Sequence, residues 1–442
     1  MLYNKVMANR KQKTVADLKN DNEVNDIDLD SIDTDLPKEK TELSVNPKDK
    51  KRKKPMSKKK KIIIIIVILI LAIGGSIAIF FLLNKPAEGP SAPEEKTAEA
   101  KHYYSILTGE EISDNSLNSK PTYCMQMPNG TDGARPQVGL NRAGVVFEAI
   151  AEAGITRFAA VFQNTDDSVL GPIRSLRTYY LDWDVPFDCT VVHAGGSDEA
   201  IAEVKNHRDL TESTTYMWRI KNGYVAPNNL FTSSELLAKF NADKGYNSSD
   251  VKAFARLHPN EASEKQSANQ KAAEPLTEEE KAAAKESGEK TREVKPLVEN
   301  ISVNFGSTPA FNTIYKYDAK TNSYLRSYAN GAEHITYTCD KNSGNSAPKS
   351  ECGEPSQVAP KAVAVMMIDQ WLDSDRYHLR AQTIGTGTSY VFQNGEVIKG
   401  TWTKDARDKQ IIFKDEDGKE ISFTPGQLWI AALPNSTGSV KY

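Results

Sequence analysis

Hydrophobic and polar residues are distributed very unevenly along this chain. Residues 62–83 (IIIIIVILILAIGGSIAIFFLL) are an unbroken run of 22 uncharged residues. As a helix with a rise of about 1.5 Å per residue, the run would measure about 33 Å, enough to cross a hydrocarbon core of about 30 Å. A surface helix of a soluble domain would have a polar face, and the apolar region of a cleaved signal peptide is shorter. The pattern predicts one uncleaved transmembrane helix, with cleavage as the alternative.

The charges that flank this run predict its orientation. Nine of the twelve residues in 50–61 are Lys or Arg, whereas Lys85 is the only Lys or Arg in residues 84–95. Basic flanks remain in the cytoplasm, so we expect a cytoplasmic N-terminus and an extracytoplasmic remainder. Residues 1–61 carry 17 basic and 11 acidic side chains. Their polar composition predicts a disordered cytoplasmic tail with a polybasic flank.

Beyond a Pro/Ala/Glu-rich spacer at 84–120, residues 121–258 combine two patterns. Runs typical of strands (TYCMQM, TRFAAVFQ, CTVVHAG) alternate with runs that we interpret as helices (RAGVVFEAIAEA, GPIRSLRTYYLDW, SDEAIAEVKNH). Asn141 is the expected cap of the first of these helices and Ser197 that of the third. This alternation predicts a three-layer α/β domain.

The pattern changes again in the last third of the chain. Residues 259–296 contain 16 charged residues and no aromatic residue, which predicts a charged linker. Thr277 and Glu280 have the spacing of a capping box, so we expect an exposed helix within it. Residues 297–442 consist of short strand-like runs with hairpin signals at 394–395 (Asn-Gly) and 417–418 (Asp-Gly). They predict a mainly antiparallel β domain.

The charge balance narrows the class of partner. The chain has a net charge of −3, but residues 62–442 alone carry 39 basic and 48 acidic side chains. Without a basic stripe in this outer part, nucleic acid is not an expected partner. The membrane is the expected partner of the basic flank.

The four cysteines all lie on the predicted outer side. None forms a CxxC pair or a zinc spacing with histidine, so we expect no metal and no cofactor. An even number in an oxidising compartment indicates disulfides. Cys339 and Cys352 bracket a turn-rich loop. Cys124 and Cys189 begin strand-like runs and could pair only if those strands are neighbours; buried free thiols are the alternative.

Candidate binding residues concentrate in the predicted α/β domain. Arg174 and Arg177 would share a helix face and could clamp an anion. Glu148 and Glu152 would be one helical turn apart, which also fits a solvated helix face. His193 ends a strand before a Gly-Gly pair, where open α/β sheets bind ligands. The predicted ligand-binding residues are Arg135, Glu148, Glu152, Arg157, Arg174, Arg177 and His193.

Several motifs carry a resemblance to a known family. In the first predicted domain they are ARPQVGL, EAIAEAGITRF, GPIRSLR and VVHAGGS; in the second they are YKYD…YLR, GTGTSYVFQNG…IKGTW and TPGQLWI. In this order they resemble the YerB-like family of bacterial envelope proteins, over about residues 121–240 and 297–435. The resemblance implies an envelope location, usually as a lipoprotein, and two domains of unknown function without established catalytic residues. This chain differs by its predicted transmembrane anchor and by the insertion at 259–296.

Three functions follow from these observations. The first is a membrane-anchored extracytoplasmic module that binds a polar or anionic envelope ligand through the arginines and His193. The second is a hydrolase of an envelope polymer, with Glu148 or Glu152 as general acid/base and His193 as proton shuttle. The third is a structural partner of a wall-synthesis protein, which predicts an exposed apolar patch.

Overall fold

The computed structural model describes residues 101–165, 168–220, 223–339 and 352–442. The predicted cytoplasmic tail, the predicted membrane helix at 62–83 and residues 84–100 of the spacer lie outside these residues. No helix within the described ranges is long and apolar enough to cross a membrane. Residues 98–442 form one compact unit.

A mixed sheet of ten strands forms the centre of this unit. In chain order the strands are β1 Tyr123–Pro128, β2 Val145–Ile150, β3 Thr156–Phe162, β4 Thr190–Val192, β5 Arg208–Leu210, β6 Ala362–Ile368, β7 Gly385–Gln393, β8 Glu396–Lys404, β9 Ile412–Asp415 and β10 Leu428–Pro434. Their order across the sheet is β9-β8-β7-β6-β10-β2-β3-β1-β4-β5. Four of the nine neighbouring pairs are parallel and five are antiparallel.

Both halves of the outer chain build this one sheet. Strand β10, near the C-terminus, pairs in parallel with β2, and the register places Leu428 opposite Val145 and Ala432 opposite Ala149. A second link joins Ile335–Tyr337 in parallel to Gln137–Val138. The two predicted domains therefore share a continuous hydrogen-bonded structure; their predicted boundaries stay predictions.

Different layers cover the two faces of the central sheet. The described α-helices are α1 Thr178–Asp184, α2 Asp198–Val204, α3 Ser234–Lys244, α4 Pro259–Ala273 and α5 Glu278–Ser287. Side chains of α1 and α2 join the core that contains Phe147, Phe187 and Trp402. Side chains of α3 and of a four-stranded sheet join the opposite core, with Phe158 and Trp429. That sheet is formed by Asn300–Asn304, Thr313–Asp318, Ser323–Tyr328 and Ser439–Lys441.

Shorter strands lie around this centre. They are Tyr103–Tyr104, Glu111–Ile112, Gln137–Val138, Val169–Leu170, Trp218–Arg219, Leu230–Ser233, Ile335–Tyr337, Ser356–Gln357, Gln370–Leu372 and Leu379–Ala381. The architecture is thus mixed and mostly β, and the predicted regular alternation of strands and helices is found only in part.

The helix predicted over RAGVVFEAIAEA is wrong. Residues Val145–Ile150 form strand β2, which is buried on both sides between β10 and β3. A short apolar run that is covered on both faces lacks the period of two that marks a half-buried strand, so it can be mistaken for a helix. Glu148 and Glu152 are therefore not one helical turn apart.

The helix predicted from Pro172 begins later than expected. Helix α1 starts at Thr178, and the residues before it run extended. The amide of Arg174 donates to the carbonyl of Gln126 at 2.7 Å, and that of Leu176 donates to Gly195 at 2.9 Å. Because these amides bind neighbouring segments, Arg174 and Arg177 do not share a helix face.

Other local predictions are confirmed. Helix α5 has the capping box, since Thr277 and Glu280 each hydrogen-bond the other's backbone amide. Ser197 caps α2 by accepting from the amide of Ala200. Asn394 and Gly395 both have positive φ in the tight turn between β7 and β8, which asparagine and glycine tolerate best.

The expectation of disulfides is confirmed, and the structure settles the pairing that the sequence left open. Cys124 on β1 bonds Cys189, which precedes the adjacent strand β4, with the Cα atoms 5.7 Å apart. Cys339 bonds Cys352, with a Cα separation of 4.6 Å. The described residues contain no free cysteine.

Candidate ligand-binding site

The structure divides the seven predicted ligand-binding residues into three groups. The groups are Glu148 with Arg135, then Glu152 with Arg157, Arg174 and Arg177, and finally His193. Each group has its own partners, and these determine what chemistry is available to it.

Glu148 is fully buried and fully paired. It lies on β2, on the sheet face that also carries Val146 and Ile150. Both carboxylate oxygens accept from Nη2 of Arg326, at 3.0 and 2.9 Å. Thr156 Oγ1 donates to one oxygen at 2.9 Å, and Trp429 Nε1 donates to the other at 3.0 Å. Since Arg326 is also completely buried, this is an internal ion pair without access to a ligand.

The other side of Arg326 contacts a neutral histidine. Its Nη1 donates to Nδ1 of His334, whose Nε2 lies 2.9 Å from Oε1 of Gln137. Burial and the charge of Arg326 hold the pKa of His334 well below its ordinary value. Burial alone would lower the pKa of Arg326, but the Glu148 carboxylate and two tyrosines raise it above the usual range. Arg326 therefore stays charged and the imidazole stays neutral.

Arg135 closes this buried cluster toward the surface. Its Nε donates to the carbonyl and to Oδ1 of Asn129, at 3.0 and 2.9 Å. The guanidinium carbon lies 3.6 Å from the ring centroid of Tyr328, in cation–π geometry. Arg135 thus holds a loop of the first half against a strand of the second.

Glu152 is the centre of the second group. It is 8 % exposed and forms a two-point ion pair with Arg177, whose Nη2 donates to Oε2 at 2.7 Å. Nη2 of Arg157 lies 3.7 Å from the same oxygen. Burial would raise the pKa of Glu152, but the hydrogen bond and charge of Arg177, with the charge of Arg157, lower it overall. One carboxylate therefore balances two buried guanidinium groups.

Arg174 adds a third guanidinium to this region, and it has no partner of its own. Its Nε is buried without a hydrogen bond, and its side chain forms no ion pair with any described residue. Burial lowers its pKa, as does the charge of Arg177, whereas Asp132, Glu152 and the Tyr377 phenol raise it. Within the second group three guanidinium groups face the one carboxylate of Glu152. Asp132, outside the group, is the charged residue with the largest effect on the pKa of Arg174, although the two form no ion pair.

The Gly-Gly turn at residues 195–196 lies against the backbone of Arg174. The Arg174 carbonyl accepts from the amide of Ala194 at 3.0 Å, which brings the Gly-Gly turn alongside. Gly195 has a φ of +67°, and a Cβ atom there would meet nothing within 4 Å. The turn therefore leaves space at Gly195, beside the backbone of Arg174.

His193 forms the third group, and it is paired as well. The fully buried imidazole has Nε2 2.8 Å from Oδ1 of Asp209 and Nδ1 2.7 Å from the carbonyl of Gly195. It supports the turn from behind, and neither Glu148 nor Glu152 is among its partners. Because both carboxylates are buried in arginine pairs, the geometry does not favour the acid/base arrangement that a hydrolase needs.

Sequence reasoning missed the partners from the second half of the chain, above all Arg326 and His334. One signal was available: in SYLRSY a period of two places Arg326 on the same face as Tyr324 and Tyr328, both of which are typical core residues. Cavities of about 500, 630 and 390 Å³ in the described residues lie elsewhere and are lined by none of the seven residues. A cavity of about 440 Å³ near Thr165 and Asn241 includes none of the seven residues, and the described residues contain no group of three metal-ligating side chains.

Comparison with known proteins places the chain in a family. The model for "Protein of unknown function (DUF3048) N-terminal domain" matches residues 107–247, and that for the corresponding C-terminal domain matches residues 301–430. The chain is 29 % identical over 372 residues to "Putative lipoprotein YerB" of Bacillus subtilis, covering 81 % of this chain and 93 % of that protein.

A solved structure shows the same fold. The crystal structure of the YerB protein from Bacillus subtilis aligns with a TM-score of 0.55 and 23 % identity, covering 77 % of this chain and all of that one. The two domain matches lie on the two halves that share the central sheet. This chain, which carries both the N- and the C-terminal DUF3048 domain, belongs to the YerB-like family.

Proposed function

We propose that this protein is a membrane-tethered extracytoplasmic module that binds an anionic envelope ligand at Arg174. The ligand would lie beside the Gly-Gly turn, where Arg157 and Arg177 reinforce the positive potential. Guanidinium groups recognise carboxylates and phosphates with two parallel hydrogen bonds. The observation that carries the proposal is the excess of guanidinium groups over Glu152, with the Arg174 side chain left without an acceptor.

The proposed extracytoplasmic location of the module has independent support. The two disulfides fit an oxidising compartment. The Bacillus subtilis relative is described by its name as a lipoprotein, which fits attachment to the outer side of a membrane. In this chain we propose the run at 62–83 as the anchor, with the N-terminus in the cytoplasm.

Ligand-observed saturation-transfer NMR tests the binding proposal, because it detects weak complexes. The full-length chain in detergent is titrated with glycerol 3-phosphate at constant ionic strength. We expect binding by the wild type and a loss of about tenfold or more in affinity in Arg174→Ala, which corresponds to one strong hydrogen-bonded contact. Arg174→Lys would keep the charge and part of the affinity.

Arg219 supplies the matched control. It is a partly exposed arginine that is paired with Glu212. Its backbone lies opposite Leu230, whose carbonyl accepts from the amide of Ile173, so it shares the neighbourhood of Arg174 but already has a carboxylate partner. Arg219→Ala should bind glycerol 3-phosphate like the wild type. Equal affinity in the wild type and in Arg174→Ala, or no binding at all, would contradict the proposal.

A further inference from the structure

An exposed hairpin lies next to the proposed anion site. Its strands, Gln370–Leu372 and Leu379–Ala381, are paired only with each other. Of the eight large hydrophobic side chains that are exposed in the described residues, four belong to this hairpin and its flank: Trp371, Leu372, Tyr377 and Ile384. Such a concentration on one small element marks an interaction surface.

Contacts with two helices hold the hairpin in place. Arg380 forms an ion pair with Glu199 in the first turn of α2, the helix that follows the Gly-Gly turn. At the base of the hairpin, Thr383 donates a hydrogen bond to Asp182 of α1. The hairpin is therefore fixed over the ends of the same two helices that flank Arg174.

The register of the hairpin shows which side chains face α2. Trp371 is directly opposite Arg380, and opposite residues of an antiparallel pair share one face. Asp373 lies on this face too, since Nε of Arg380 donates to its carboxylate at 2.8 Å. Trp371, at 52 % exposure, is thus presented on the face that meets α2, beside a polar pair.

Tyr377 lies in the turn of the hairpin and is 64 % exposed. The hairpin reaches the region of Arg174 through α2, because Arg380 pairs with Glu199 in the first turn of that helix. The Gly-Gly turn before α2 is in turn joined to Arg174 by the hydrogen bond from the Ala194 amide to the Arg174 carbonyl. The Tyr377 phenol also raises the pKa of Arg174, against the larger effect of burial.

We infer that the ligand of this site is an anionic saccharide, whose charged group binds Arg174 and whose sugar ring packs against Trp371 and Tyr377. This inference rests on the proposed anion binding and names the class of its ligand. The negative face of an aromatic ring attracts the weakly positive C–H groups of a sugar. Asp373 and Arg380 supply an acceptor and a donor for the hydroxyl groups.

The charge of the hairpin argues against an anionic membrane as its partner. Residues 369–384 contain three aspartates and two arginines, which leaves no positive charge to attract anionic lipid. The positive charge lies instead in the neighbouring arginine group. A ligand with a negative group at one end and an uncharged, hydroxyl-rich ring at the other fits this arrangement.

Three small probes separate the contributions of ring and charge. Glycerol 3-phosphate carries the anion without a ring, glucose carries the ring without an anion, and glucose 6-phosphate carries both. In saturation-transfer experiments on the full-length chain, we expect glucose 6-phosphate to bind about tenfold more tightly than glycerol 3-phosphate. Trp371→Ala/Tyr377→Ala should abolish this advantage and leave the affinity for glycerol 3-phosphate unchanged.

Leu372→Ala is the control, because Leu372 is equally exposed but lies on the opposite face of the hairpin. It should keep the full preference for glucose 6-phosphate. An equal affinity for the two phosphates in the wild type, or a preference that survives in the double variant, would overturn the inference and leave anion binding intact. Absence of any glycerol 3-phosphate binding would instead contradict the proposed function.

Crosslinking in cells tests the alternative that the hairpin binds a protein. If Trp371→Ala/Tyr377→Ala removes a crosslinked protein while the preference for glucose 6-phosphate is unchanged, the hairpin binds a protein and the saccharide inference is wrong. Loss of the sugar preference with an unchanged crosslinking pattern is the result that we expect.

Discussion

Two groups of arginine and glutamate lie at the two ends of the segment from Glu148 to Glu152, and they differ in how their charges balance. Around Glu148, one carboxylate meets one guanidinium, and both are completely buried. Around Glu152, one carboxylate meets two guanidinium groups, and Arg174 stands beside them without a partner. The first arrangement is complete and joins two halves of a fold. The second has an unused donor, Arg174, where we propose that a ligand binds.

This difference shows why residue type alone does not identify a site. A buried ion pair with all its hydrogen bonds made is costly to break and has nothing left to offer. A guanidinium that is partly desolvated and lacks an acceptor is stabilised when an anion supplies that acceptor. The comparison predicts large losses of stability in the first group and losses of binding in the second.

The largest loss of stability is expected from Arg326→Met. The substitution leaves the Glu148 carboxylate buried without its counter-charge, which should cost about 3–5 kcal/mol in the free energy of unfolding. Urea denaturation of the full-length chain, followed by circular dichroism, measures the loss. Glu148→Leu/Arg326→Met removes both charges and should recover most of the stability. A double variant as unstable as the single one would mean that packing, and not charge, is lost.

A smaller loss is expected from Glu152→Gln. The amide keeps the shape but leaves Arg157 and Arg177 without a counter-charge, which should cost about 2 kcal/mol at neutral pH. The folded pKa of Glu152 is lowered below its ordinary 4.5, so the unfolded chain binds more protons near that pH. The stabilisation is therefore present above pH 4.5 and is lost as the pH falls through the folded pKa.

The pH dependence of this effect supplies its check. Wild type and Glu152→Gln should differ in their urea midpoints at pH 7 and converge as the pH falls below the folded pKa of Glu152. A difference that persists unchanged at low pH would contradict the assignment of the carboxylate charge.

The smallest effect on stability is expected from Arg174→Ala. Since the side chain makes no ion pair with a described residue and its Nε lacks an acceptor, the free energy of unfolding should change by about 0.5 kcal/mol or less. A larger loss in urea denaturation would show that Arg174 has a structural role, like Arg326, and the contrast between the groups would disappear.

Local chemistry made parts of this account predictable from the sequence. Capping residues at Ser197 and Thr277, the turn at Asn394 and the cysteine placement each depend on a few neighbouring residues, and each is confirmed. The arginines of GPIRSLR were predicted to share a helix face, which is wrong because the helix begins only at Thr178; their role in ligand binding stays a prediction.

Long-range pairing could not be predicted. Glu148 resembled a surface position of a helix because its partner Arg326 lies 178 residues away in the chain. The same holds for β2, whose neighbour β10 comes from the far end of the sequence. Nothing local indicates that a strand from one predicted domain will be inserted into the sheet of the other.

The central claim is that an anion binds at Arg174, and the dependence of stability on ligand tests it most directly. Binding to the folded state raises the free energy of unfolding by mass action. Urea midpoints of wild type, Arg174→Ala and Arg219→Ala would be compared with glycerol 3-phosphate and with sodium chloride at equal ionic strength. We predict that the phosphate raises the urea midpoints of the wild type and of Arg219→Ala. The corresponding gain in the free energy of unfolding is about 2.7 kcal/mol at a phosphate concentration a hundred times the dissociation constant. Arg174→Ala should match the wild type in sodium chloride and gain nothing from the phosphate; an equal gain in all three proteins would contradict the account.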